Sequence, residues 1–95
     1  MAGANNNLMG KASRERPEKL SKKLLQIRSS LGLSQNEMLV ELGLADRIDR
    51  SSISGYEIGK REPSLITLLK YARLAGVTME VLIDDEMDLP KKFLR

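Results

Sequence analysis

Apolar positions first become regular at Leu20, Leu24, Ile27 and Leu31, spaced by four, three and four residues. That spacing lines one face of an α-helix. Pro17 suits the first turn and Gly32 the left-handed residue after the last, so the pattern predicts a helix over 17–31. A second helix begins after Ser34. Ser34 and Glu37 have the spacing of a capping box, which satisfies two orphan amides at a helix start. Met38, Leu39 and Leu42 form its apolar face, and Gly43 ends it. At about eight residues it cannot hold alone, because helix nucleation is costly, so it must be packed.

A connector over 44–50 leads to a third helix, capped by Asp49 or by Ser51 or Ser52. Ile53 and Tyr56 face inward and Gly59 ends it. Gly55 inside this helix costs ~1 kcal/mol relative to alanine. That cost signals either a close approach to the backbone or tight packing between helices. Pro63 and Ser64 precede a fourth helix with Leu65, Leu68, Leu69, Ala72 and Ala75 on one face, closed by Gly76. Thr78 caps a short fifth helix holding Val81, Leu82 and Ile83. No segment alternates with period two for long enough to make a strand, and there is no internal repeat. The expected architecture is all-α: a compact five-helix bundle over 16–86. A disordered basic arm over 1–15 precedes it and a tail over 87–95 follows it.

Composition narrows the chemistry. Ninety-five residues with 41% apolar side chains make one small domain with no room for a second core. Cysteine and histidine are absent, which excludes disulfides, thiolate chemistry, zinc fingers and histidine general bases. Tyr56, Tyr71 and Phe93 are the aromatic residues, too few for the stacking platforms of RNA or single-strand binders. No run approaches the ~20 apolar residues of a membrane span. The first residues lack the apolar core of a secretory signal. Together these place the expected chain in the cytoplasm and away from membranes.

Enzyme constellations are missing. Asp84, Asp85, Glu86 and Asp88 lack the spacing and central glycine of a calcium loop and read as a solvated helix end. Ser51 and Ser52 have no base to activate them. The stretch from Gly55 to Lys60 lacks the spacing of a phosphate-binding loop. No catalytic residue, metal or cofactor is expected.

Charge favours a polyanion only weakly. The net charge is +3. Residues 1–33 carry seven basic and two acidic side chains, residues 34–63 four and six, and residues 64–95 five of each. The second and third helices are therefore slightly acidic as a pair. Their basic groups sit at two ends, Arg47 and Arg50 before the third helix and Lys60 and Arg61 after it. A helix of eight residues separates such ends by roughly 12 Å. The major groove is about 12 Å wide, so both ends could meet flanking phosphates.

At this point the order of residues resembles a known family. Leu31-Gly32-Leu33-Ser34-Gln35, Leu39, Leu42-Gly43, the run Ile53-Ser54-Gly55-Tyr56-Glu57-Ile58-Gly59-Lys60-Arg61-Glu62-Pro63-Ser64, then Leu68-Leu69, Ala72, Leu74, Gly76-Val77 and Leu82 are similar to the helix-turn-helix of Cro and phage-repressor type, the XRE family. The resemblance covers about residues 20–83. It implies sequence-specific binding of double-stranded DNA, with the third helix in the major groove, and a role as a transcriptional regulator. It implies a phosphate contact for Gln35, base-reading positions for Arg50, Ser51 and Gly55 with Ser54 on the same side, and backbone contacts for Lys60 and Arg61. Ser52 belongs to the same set of short readout side chains, and Arg47 falls near the backbone. Arg28 and Glu57 match an architectural ion pair of some members, and Tyr56 matches a core or rim position. Family members commonly act as dimers on palindromes, so a homodimer is implied, with Leu89, Phe93 and Leu94 either forming its contact or folding back. The family's turn usually has about five residues between the positions of Gly43 and Ile53. Here nine intervene. Leu44 and Ile48 can anchor this longer turn while Ala45, Asp46 and Arg47 loop out. Arg50 then falls either at the helix start or in the loop. The competing reading is a protein-interaction module on the same fold, an antitoxin half or coactivator-like adaptor with a partner protein, which the acidic 34–63 segment favours a little.

Overall fold

Leu20, Leu24 and Ile27 are all but removed from solvent, as their spacing requires, and they carry the first helix, α1 (Leu20–Ser30). The computed structural model describes residues 15–93. The expected arm over 1–15 therefore lies outside the described residues apart from Glu15, and Leu94 lies outside them too. The other helices are α2 (Gln35–Glu41), α3 (Arg50–Glu57), α4 (Leu65–Ala75) and α5 (Met79–Ile83), and no strand occurs among the described residues. No helix there is long and apolar enough to cross a membrane.

Local signals place four of the five helix starts. Ser34 Oγ accepts the Glu37 amide at 3.0 Å, while the Glu37 carboxylate accepts the Ser34 amide at 2.8 Å, closing the expected box. Asp49 caps α3, Ser64 caps α4 and Thr78 caps α5. The exception is α1. It starts at Leu20 rather than at 17, and its N-cap Lys19 offers no side-chain cap. Its amides are served from the other end of the domain: the Asp85 carboxylate accepts the amides of Glu18 at 2.9 Å and Lys19 at 3.1 Å. Lys23 returns the favour, donating from its ammonium to the carbonyls of Val81 at 2.7 Å and Asp84 at 2.9 Å, just where α5 runs out of partners. Lys23 is 4% exposed, so this ammonium is a structural group.

Inside, α1 lies against α3, α4 and α5, and α2 packs on α3. Met38, Leu39 and Leu42 of α2 meet Ile53 and Tyr56 of α3 in one core with Leu68, Ala72 and Ala75 of α4 and Leu82 of α5. Two apolar expectations need correction. Leu65 is 73% exposed, and the inward place in the first turn of α4 goes to Thr67, whose amide and hydroxyl both meet Ser64 Oγ. Tyr71, absent from the expected face, is fully buried. Leu89 is buried and Phe93 packs partly on the core, so both fold back onto the domain.

The nine-residue connection resolves into an extra turn. The amides of Arg47 and Ile48 both donate to the Leu44 carbonyl, and Leu44 is buried beside a half-buried Ile48. Ala45, Asp46 and Arg47 are exposed, as expected for residues looped out of an anchored turn.

Candidate nucleic-acid interface

Helix α3 has one buried face and one open face, and the open face carries the candidate chemistry. Ser52, Ile53, Tyr56 and Glu57 turn inward. Arg50, Ser54 and Ile58 recur every four residues on the other side, with Ser51 beside Arg50. Together with Gln35 at the start of α2, Gly55, and Lys60 and Arg61 after α3, they line a single open groove. The sequence scatters these positions over three segments, and the fold brings them to one surface.

The start of α3 falls at Arg50, which settles the alternative left open by the longer turn: Arg50 is the first residue of the helix, not part of the loop. Its cap shapes the neighbouring serine. The Ser51 amide and hydroxyl both donate to Asp49 Oδ1. The Ser51 hydroxyl, with its proton committed to Asp49, keeps only acceptor capacity. Those same contacts from Ser51, and more distantly the charge of Arg61, hold the Asp49 carboxyl below the usual carboxylate range.

Behind the groove stands the expected ion pair. Arg28 donates to Glu57 from Nε at 2.7 Å and from Nη2 at 3.0 Å, and from Nη1 to the Leu33 carbonyl at 2.8 Å. Gln35 Nε2 donates to Glu57 Oε1 at 3.2 Å. Glu57 thus ties α1 to α3 and holds the Gln35 side chain at the groove wall. The Glu57 bond raises the Arg28 guanidinium above its ordinary pKa, against the opposing effect of burial. The Tyr71 hydroxyl close behind is buried without a hydrogen-bond partner, and desolvation followed by the charge of Glu57 pushes its pKa well up.

Two expected residues do not line this groove. Ser52 is 6% exposed, and its hydroxyl accepts from Arg61 Nη1 at 3.0 Å, so it faces a side chain rather than a base. Arg47 lies with Gly43, Leu44, Ile48, Ile66 and Lys70 in a separate depression, away from the groove. Gly55 shows the first of the two readings its cost allowed, a close approach to its backbone. The atoms nearest to a Cβ built there belong to the side chain of Arg61. One groove residue escaped the sequence reading: Ile58 is 65% exposed at the end of α3. Its signal was available, since it continues the four-residue spacing of Arg50 and Ser54. An apolar tip in a polar groove matches the methyl group of thymine.

Among the described residues, no cluster of three or more acidic, histidine or cysteine side chains gathers to hold a metal ion. The helix-turn-helix family model matches residues 19–82. An SPbeta prophage-derived uncharacterized HTH-type transcriptional regulator, YonR, of Bacillus subtilis (strain 168) is 41% identical over 61 residues. That alignment covers 64% of this chain and 53% of the relative, so the chain spans about half the length of the relative it matches. The crystal structure of the restriction-modification controller protein C.AhdI from Aeromonas hydrophila superposes with a TM-score of 0.55 and 34% identity, over 65% of this chain and 88% of the other. The capped α2 and α3, the Arg28–Glu57 ion pair and the groove agree with that match, and the chain belongs to the helix-turn-helix family of Cro and phage-repressor type.

Proposed function

We propose that this domain binds double-stranded DNA sequence-specifically, with α3 in the major groove, and regulates transcription. The observation that carries the reading is the single groove formed by Gln35, Arg50, Ser51, Ser54, Ile58, Lys60 and Arg61. Its chemistry fits duplex DNA in kind: guanidinium and ammonium groups for phosphates and guanine, short hydroxyls for base edges, one apolar tip for thymine. Arg50, at the first position of α3, has the place from which helix-turn-helix proteins contact bases. Gln35 and Lys60 flank it and suit phosphate oxygens. The regulatory role is supported by the likeness to a prophage-derived transcriptional regulator and to a restriction-modification controller.

A homodimer belongs to the same proposal. One half-site of this size supplies few base contacts, and pairing two domains multiplies them. Selection of bound duplexes from a random pool of about 30 base pairs, read at two salt concentrations, tests the whole reading. A recovered palindrome supports a dimeric regulator and gives its half-site spacing. Binding with no enriched motif that vanishes at the higher salt refutes sequence-specific recognition.

A further inference from the structure

Arg61 follows α3 in sequence, yet its guanidinium does not stay at that end. The Arg61 amide donates to the Gly55 carbonyl at 3.1 Å, and the Lys60 amide shares the same acceptor at 2.9 Å. This fold of the backbone aims the Arg61 side chain back along the helix. Its stem then lies flat on Gly55: a Cβ placed there would stand 3.3, 3.1 and 3.0 Å from the Arg61 Cβ, Cγ and Cδ. The stem ends with Nη1 donating to Ser52 Oγ at 3.0 Å. The guanidinium is thereby held beside the first turn of α3, two residues along from Arg50, and it lines the same groove.

We infer that Arg61 is a second base-reading arginine at the entrance of α3, and that Gly55 and Ser52 are its positioning residues. This deepens the DNA-binding reading above and rests on it. The chemistry follows from the seat. One N–H of the guanidinium is committed to Ser52, which leaves the others for the paired acceptors of guanine, O6 and N7. Side-chain freedom is already reduced in the free protein, so less is lost on contact. Glycine lets the stem lie this close without strain. A Cβ at position 55 would stand 3.0 Å from Cδ, closer than side chains normally pack, so the arginine stem must shift by a few tenths of an ångström, while the helix itself tolerates alanine well. Ser52 and Gly55 therefore act on DNA through Arg61, without touching a base.

The test compares Arg61→Lys, Arg61→Ala, Gly55→Ala, Ser52→Ala and the Gly55→Ala/Arg61→Ala pair on the selected duplex and on single-base variants of it, each at several salt concentrations. Melting curves by circular dichroism confirm that each variant is folded. Arg61→Lys keeps the charge and the salt slope but loses about tenfold discrimination at one G·C pair. Gly55→Ala and Ser52→Ala weaken discrimination at that same pair, and Gly55→Ala adds nothing once Arg61 is alanine. The assignment is overturned if Arg61→Ala weakens matched and scrambled duplexes equally with a salt slope shallower by about 1, the signature of a phosphate contact. It is also overturned if Gly55→Ala costs the same with and without Arg61. Failure of the unsubstituted chain to bind any duplex refutes the DNA-binding reading itself.

Discussion

The ammonium of Lys23 lies 2.7 Å from the carbonyl oxygen of Val81, sealed at 4% exposure between α1 and α5. A buried charge of this kind substitutes for the backbone partners that a helix end lacks. Lys23→Met preserves the length and apolar stem but leaves the Val81 and Asp84 carbonyls without their donor. The expected cost is about 2 kcal/mol, since each orphaned buried group carries its desolvation penalty. For a domain of this size that lowers the thermal midpoint by roughly 10 °C.

Asp85 gives the same junction a dependence on pH. The amides of Glu18 and Lys19 hold its carboxyl below the ordinary value of 3.8. A group with a depressed folded pKa contributes stability in full above its unfolded pKa and loses it as the pH falls through the folded value. Acid should therefore loosen the start of α1 as the pH drops below 3.8. Asp85→Asn, which cannot titrate, should show a lower melting temperature at neutral pH and a smaller further loss in acid. An equal acid loss in both proteins would remove Asp85 from the account.

Arg28 and Glu57 offer a coupled pair. Their side chains are 18% and 4% exposed, so removing one strands the other in a poorly solvated place. Arg28→Met should cost about 3 kcal/mol in urea unfolding. The double variant Arg28→Met/Glu57→Leu should cost less than Arg28→Met alone, because no uncompensated carboxylate remains. Additive losses would mean that the two groups are independent.

Two arginines near one another in sequence should part company in binding. Arg50 lines the groove and Arg47 lies in another depression. Arg50→Ala should reduce affinity for the selected duplex by about tenfold and erase a guanine preference. Arg47→Ala should change affinity by less than about threefold, the scale of a distant surface charge. Equilibrium titrations with matched and guanine-substituted duplexes distinguish the two.

Ile58 predicts a response to a single methyl group. Replacing thymine by uracil one position at a time removes only the 5-methyl group. At one position this should weaken binding by about fourfold, the worth of one buried methyl. Ile58→Ala should bind both duplexes alike. Uracil substitution without effect at every position would dismiss a thymine contact.

Much of this fold was legible because its signals are local. Ser34 and Glu37 announce α2 from three residues apart, and the four-three-four rhythm from Leu20 names the core face of α1. The ion pair of Arg28 and Glu57 and the anchoring of the long turn by Leu44 and Ile48 were legible too, through resemblance and through apolar placement. What stayed hidden depends on distance or direction. Asp85 caps amides 67 and 66 residues away, which no sequence window contains. Ser52 and Ser54 read alike as short polar residues, yet a difference of two positions on a helix turns one inward and the other out. The path of the Arg61 side chain over Gly55 to Ser52 was also out of reach, because the direction of a long side chain depends on the surface it crosses.

On the ribosome, residues 18 and 19 emerge well before the carboxylate that caps them. The first helix of the nascent chain therefore begins without its cap, and the last helix, once it appears, finds Lys23 already waiting. Asp85 and the carbonyls of Val81 and Asp84 arrive almost together, so both ends of the clasp close in one late event. Translation thus holds this domain short of its final stability until the segment after α5 has left the exit tunnel, and a product ending before residue 85 lacks the carboxylate that accepts the Glu18 and Lys19 amides.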